Sequence, residues 1–387
     1  MGWLGLDQPA WKLCPGLERA EGRQTLIVVF HYQEREQALL GFGGGVSHQQ
    51  EGRLAVHHPR YHEHRQTIGH PESPARLDAI VERLGNEGLW HDVLTPEPVD
   101  PGLLGKVHTE SYIASVRDFG EGYMDPDTYM RPGTYEIALL AVGGAVLAAR
   151  KALETGRPAF ALVRPPGHHA GSYHGGGFCY FNNIAVAAEA LREKVDRVAI
   201  IDLDLHHGNG THDIFYSRPD VLYVSTHQGG IYPGTGIPED LGDEKGLGFN
   251  ICVPLPGGSG DATFELFTKR ILRPVIQKYR PDAMLVSLGA DAHYMDPLGG
   301  LSLTSPGYVA LCREILCLAR ELCNGACAFT LEGGYHVGAL AEVVAGTVAA
   351  FEDRRVKYEF DRSGDENGIG TQAVERSVRI LRKFWPV

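Results

Sequence analysis

Three things are scarce in this 387-residue chain, beginning with basic charge: 36 Lys and Arg stand against 48 Asp and Glu, a formal charge of −12 with histidines neutral. With no surplus of cations to displace phosphate counterions, general nucleic-acid binding is excluded. Long apolar runs are also missing. The longest, Ile137 to Ala149, falls short of the roughly 20 residues that cross a bilayer, so no membrane association is expected. The opening MGWLGLDQPAWKLCPG lacks the basic start and apolar stretch of a secretory signal. Finally, there is no even set of cysteines. Seven of them, scattered from Cys14 to Cys327, fit reduced thiols better than a disulfide framework, which implies a cytoplasmic location, or a nuclear one in a eukaryote.

What is present suits a large globular body, with 43% apolar and only 22% charged residues. Glycine, at 49 residues, is about twice its usual frequency and clusters at Gly43 to Gly45, Gly175 to Gly177, Gly257 and Gly258, and Gly333 and Gly334. Such clusters suit tight loops around a site. Short β-branched runs read as buried parallel strands: Phe160 to Val163, Val198 to Ile201, Val221 to Val224, Met284 to Leu288 and Ala328 to Leu331. Helical patterns alternate with them at Thr134 to Leu153, Ile184 to Lys194, Ala262 to Lys278 and Pro306 to Leu322, a doubly wound α/β arrangement. No linker interrupts residues 55 to 350. One catalytic domain over 51–387 is expected, preceded by an N-terminal extension, 1–50, to which no structure is assigned. The final VERSVRILRKFWPV reads as a surface helix packing its apolar face back on the domain.

Polar clusters follow the strands: RPPGHHAG, DLDLHHGNGTHD, STHQGGIYPGTG, GADAHYMDPLGG and EGGYH. In open parallel sheets the ligand site lies beyond the carboxyl ends of the strands, so all five converge on one edge. Strand alternation would put Asp202, Asp204 and His206 on one face, and two carboxylates with an imidazole suit a divalent ion such as zinc. Asp291, at another strand end, can supply a carboxylate if Asp202 lies behind the ligands. A lone Asp-x-Asp is more often a solvated strand end, but here it has company. His168 and His169 follow the stiff Pro165-Pro166-Gly167 turn, and metal-assisted hydrolysis of an amide needs a base for water and an acid for the leaving amine. Tyr335 offers a phenolic O–H to an oxyanion.

The strings RPPGHHA, GGFCYFNN, IDLDLHHGNGT, YPGTG, GADAHYMDPLGGL and LEGGY, in this order, resemble the zinc-dependent histone deacetylase superfamily, which includes acetylpolyamine amidohydrolases and acetoin-utilisation proteins. The likeness runs from about His58 to Gly346. It implies the arginase/deacetylase α/β fold, with an eight-stranded parallel sheet between helices. It implies one catalytic zinc held by Asp204, His206 and Asp291, and hydrolysis of an acetylated amine. His169 becomes the general base and acid, with His168 mainly electrostatic and Asp202 behind it. Behind His169 stands Asn209, as in the class II branch, where another branch has Asp. Phe178 and Tyr232 match the aromatic walls of an acyl-lysine channel, although Phe is more usual at the second; Gly177 lies beside them. Asp202, Asp204, His206, Ser225 and Thr226 match a structural potassium site. The rim acid that grips substrate amides falls at Asp125 or Asp127. Leu298 occupies a position that carries an acid in polyamine-specialised members.

The implied partner is an acylated lysine in a peptide or protein, or an acylated small amine. A dimanganese ureohydrolase-like site would need more bridging carboxylates, and a non-catalytic acyl-lysine binder would not need His168, His169 and Tyr335. The histidines His57, His58, His62, His64 and His70 read as a polar loop at the channel mouth, since no Cys accompanies them. His207 alternates away from the ligand face and His293 is placed at the rim.

Overall fold

The computed structural model describes residues 54–362 and 368–387. The expected N-terminal extension, and with it Gly43 to Gly45, lies outside them. In chain order the strands are β1 (Leu54–Val56), β2 (Gly122–Asp125), β3 (Thr128–Met130), β4 (Ala159–Ala161), β5 (Val198–Asp202), β6 (Val221–Gln228), β7 (Asn250–Leu255), β8 (Ala283–Leu288) and β9 (Cys327–Leu331). Seven of these form one parallel sheet in the order β1-β4-β9-β8-β5-β6-β7, flanked by helices, whereas β2 and β3 pair as a separate antiparallel hairpin. The sheet thus has seven strands among the described residues where eight were expected.

The strands read from the sequence are all present, because β4, β5, β8 and β9 are buried on both faces and so are continuously apolar. Four strands were missed. β1 is three residues long, β7 carries Pro254 and the polar Asn250, and the β2–β3 hairpin has no apolar alternation. The expected helix Ala262 to Lys278 is present but broken, with a π-helical turn at Thr268–Leu272 between Asp261–Phe267 and Arg273–Tyr279. Pro274 explains the break, since a proline inside a helix lacks the N–H for the i−4 bond. The C-terminal helix Thr371–Leu381 buries Val374, Val378 and Leu381 as expected.

The topology fixes where chemistry can occur. The chain leaves β5 towards β6 and β7, then returns across the sheet to β8 and proceeds to β9 in the opposite direction. The strand order therefore reverses between β5 and β8, whose last residues include the paired Asp202 and Ser287. A crevice at such a reversal is the standard ligand position in this architecture. Among the described residues no helix is long and apolar enough to cross a membrane. Among the described residues Cys179, Cys252, Cys312, Cys323 and Cys327 are free and buried.

Candidate metal centre and channel

Asp204 and His206 follow β5 and Asp291 follows β8, so the triad straddles the reversal point. Their ligand atoms lie within 4.8 Å of one another. His206 Nδ1 is 3.2 Å from Asp204 Oδ1 and 3.1 Å from Asp291 Oδ2. The face-sharing argument needs one correction. β5 ends at Asp202, and a bend, rather than continued alternation, turns the next residues inward. Asp202 Oδ1 accepts the Asp204 N–H (3.2 Å) and Asp204 Oδ1 accepts the His206 N–H (2.9 Å), which pins the bend. Further N–H donors orient the carboxylates, Gly333 to Asp204 Oδ2 (2.8 Å) and Leu205 to Asp291 Oδ1 (2.9 Å). At Gly289 a Cβ would sit 2.0 Å from Asp204 Oδ2, and at Gly333 one would sit 2.3 Å from Asp291 Oδ2, so glycine is required at both.

Electrostatics set the two histidines apart. Burial works against charging His168, but Asp204 and Asp202 overcome it and push its pKa up to about 10; its Nδ1 lies 3.2 Å from Asp202 Oδ2. Tyr223 donates its O–H to the same Asp202 oxygen (3.0 Å). His169 goes the other way. Burial, then the charges of His168 and His206, hold it well below the usual histidine range. Its Nδ1 meets Asn209 Oδ1 at 2.8 Å, and an amide oxygen can only accept, so the proton sits on Nδ1. The arrangement leaves one charged and one neutral imidazole, their ring centroids 4.0 Å apart. Asp291, by contrast, is pushed up to about 7 by burial and by Asp204. Two buried carboxylates that repel each other beside an imidazole nitrogen form a donor set that a divalent cation fits.

The reading from sequence missed Glu332, which follows β9 directly. Its buried carboxylate accepts N–H bonds from Gly167 (2.8 Å) and His168 (3.2 Å) and the Ser287 hydroxyl (3.0 Å), holding the His168-His169 loop in place. An acid directly after an apolar strand was the available signal. The HPESPARL motif of the resemblance includes Arg76 at a helix start but assigns it no role; it is fully buried and donates to Gly334 O (2.7 Å) and to Glu332 O while its guanidinium lies 5.2 Å from the Tyr335 ring centre. Asp296 accepts the Tyr335 N–H at 2.6 Å. Burial first, then Asp291, raises the Tyr335 phenol well above its ordinary range, so it stays protonated and able to donate.

Phe178 packs edge-on against Tyr335 (5.8 Å), and Tyr232, 46% exposed, packs against His169 (5.0 Å). The hairpin places Phe178: Thr128 Oγ1 accepts its N–H (2.8 Å) and Asp125 Oδ2 accepts that of Gly177 (2.9 Å). Gly177, at φ +54°, is glycine because a Cβ there would meet His169 Cδ2 at 2.6 Å and Tyr232 Cε1 at 2.9 Å. Asp127 is pushed up to about 6 by burial and by neighbouring Asp125. Leu298 is 42% exposed, with its N–H on Asp296 Oδ1. Ser225 Oγ meets His227 Nδ1 at 2.9 Å, and Thr226 Oγ1 is buried without a hydrogen-bond partner. The His57–His70 segment is less exposed than expected. His70 packs on Phe178 (4.5 Å), but His57 and His64 are buried, His64 beside Glu72 at 3.5 Å. His293 is also buried, stacked between Tyr294 and Tyr308, and not at the rim.

A parallel α/β sheet with an Asp-His-Asp triad and a polarised histidine pair at its reversal point defines a hydrolase of the deacetylase and amidohydrolase class. Known proteins agree. A histone deacetylase domain matches residues 70–351, and the chain belongs to the histone deacetylase family. It is 40% identical over 304 residues to an Archaeoglobus fulgidus protein named "Probable deacetylase", covering 76% of this chain and 85% of that one. It is 40% identical over 279 residues to the histone deacetylase-like amidohydrolase of Pseudomonas aeruginosa, covering 69% and 73%. The crystal structure of the HDA15 HD domain superposes with a TM-score of 0.78 at 32% identity, covering 86% of this chain and 97% of that chain.

Proposed function

We propose that this protein is a zinc-dependent amidohydrolase that removes acetyl, or a similar short acyl group, from a lysine-type amine. The observation that carries the reading is the Asp204, His206, Asp291 cluster beside the His168-His169 pair, whose Nδ1 atoms meet Asp202 Oδ2 and Asn209 Oδ1. When bound there, zinc supplies Lewis acidity towards the amide carbonyl and lowers the pKa of a water. His169, with Nδ1–H donated to Asn209, keeps the Nε2 lone pair free to take a proton during attack and return one to the departing amine. His168, kept charged by Asp204 and Asp202, favours the developing negative charge and does not serve as base. Tyr335 donates a hydrogen bond from its phenolic O–H to the oxyanion. Phe178 and Tyr232 flank the apolar stem of acyl-lysine, with Asp125 or Asp127 at the rim and Leu298 favouring lysine over a polyamine, whose extra ammonium would be desolvated unpaired. A structural potassium at Asp202, Asp204, His206, Ser225 and Thr226 is supported by the unpartnered Thr226 hydroxyl. Turnover of a fluorogenic acetyl-lysine peptide by the zinc-loaded protein tests the reading. Failure to cleave acetylated or longer-acylated lysine peptides would refute it.

A further inference from the structure

A second cluster of borderline-soft donors lies on the far side of the bend that carries His206. His207 from that bend, His212 from the helix Asn209–Ile214 and Cys252 from β7 bring two imidazoles and a thiol together, their ligand atoms within 4.8 Å of one another. Their exposures are only 1%, 5% and 1%. We propose that His207, His212 and Cys252 form a second, three-ligand metal site for zinc or a similar thiophilic divalent ion, separate from the Asp-His-Asp centre.

Three observations carry this. The first is spacing. His207 Nε2 is 3.4 Å from Cys252 Sγ. A tetrahedral zinc with about 2.0 Å Zn–N and about 2.3 Å Zn–S bonds separates such a pair by roughly 3.5 Å. The second is orientation: His207 Nδ1 meets Thr235 Oγ1 at 2.8 Å, the outer hydrogen bond that fixes ring and tautomer in metal-ligating histidines. The third is His212, a buried imidazole with no hydrogen bond of normal length. Its nitrogens reach Asp213 Oδ1 at 3.4 Å and the Asp240 carbonyl at 3.5 Å, beyond the usual 2.7 to 3.2 Å. The His212 nitrogen, already within 4.8 Å of the other two donors, needs to draw in to roughly 3.3 to 3.5 Å to share a zinc with them. His227, although adjacent, is satisfied at both nitrogens by Ser225 and Gly236 and is no ligand. Gly236 seals the cluster, since a Cβ there would meet His207 at 2.7 Å and His227 at 2.8 Å.

Thiolate and imidazole donors exclude magnesium and calcium, which take oxygen. On binding, Cys252 gives up its thiol proton to solvent, and the three side chains leave the fourth position of the ion to a further ligand. The site would tie β7 to the segment carrying His206 and Asn209, and through Thr235 to the loop carrying Tyr232.

Full-length protein produced in cobalt-supplemented medium reports the two sites separately, because only a thiolate ligand gives strong near-ultraviolet charge-transfer absorption. Wild type should hold two Co2+ per chain and show the band. Cys252→Ser should hold one and lose it, and His212→Asn should also hold one; Asp291→Ala should hold one and keep the band. Cys179→Ser controls for the thiol nearest the first site and should keep both metals and the band. One Co2+ in wild type, or a band that survives Cys252→Ser, would overturn the site and leave a thiol–imidazole hydrogen bond. If Cys252→Ser does not fold, wild-type stoichiometry and His212→Asn decide. The Asp291→Ala result separates this site's failure from that of the catalytic one.

Discussion

Replacing Asn209 by Asp puts a full charge where a neutral amide now accepts the His169 Nδ1–H at 2.8 Å. Between unit charges about 4 Å apart at an effective dielectric of about 20, the attraction is about 4 kcal/mol. At about 1.4 kcal/mol per unit this could raise the His169 pKa by up to about 3 units. The new carboxylate must itself be desolvated, since Asn209 is partly buried, so the net rise should be about 1 to 3 units. A general base works only when neutral. In the wild type, burial and the charge of His168 hold His169 well below the usual histidine range, His206 being neutral once it holds a metal, and activity should persist into mild acid. In Asn209→Asp the acid limb of kcat/KM should move up by those 1 to 3 units, with metal content unchanged. The assay is hydrolysis of an acetyl-lysine peptide across the pH range where the protein stays folded, with metal analysis of each preparation. A limb that stays put, or moves to lower pH, would refute His169 as the base.

Asp291→Ala removes a ligand and should abolish metal at the triad together with activity, read by metal analysis; a fully loaded triad would sink the ligand assignment. His169→Ala should retain the triad metal with a rate loss of order 10² to 10⁴, and Tyr335→Phe should lose about 10² to 10³ with unchanged fold, both read as kcat. Leu298→Glu should shift the kcat/KM ratio of acetylspermidine to acetyl-lysine peptide towards the polyamine. Glu72→Gln leaves two fully buried guanidiniums, Arg76 and Arg164, without their shared carboxylate, and should cost about 3 to 5 kcal/mol and lower Tm by on the order of 5 to 10 °C. Burial alone would raise the Glu72 pKa, but Arg164 chiefly holds it at about 2. Its stabilisation is therefore present above about pH 4.5 and is lost as pH falls towards 2, so thermal melts of wild type and Glu72→Gln should converge in acid.

The sequence alone determined the strands buried on both faces, because such strands must be continuously apolar, and with them the single edge where the polar clusters emerge. Strand ends narrowed the candidate ligands to Asp202, Asp204, His206 and Asp291, the resemblance carried by motif order selected Asp204, His206 and Asp291 among them, and that same motif order pointed to the family. Tertiary structure decided what depends on contacts between distant segments. Strand alternation could not reveal that β5 stops at Asp202, because the bend is set by side chains accepting N–H bonds two residues on. Nothing local marks Arg76 as the clamp on the Tyr335 loop, since its partners Glu332 and Gly334 lie more than 250 positions away. The β2–β3 hairpin buries too little to leave an alternating pattern, yet it fixes Phe178. His207, beyond the end of β5, carries no local sign of its partners. Only the packing of β7 against the 206–214 segment brings Cys252 to its other nitrogen, because strand order, unlike strand identity, is settled by how the whole sheet closes its core.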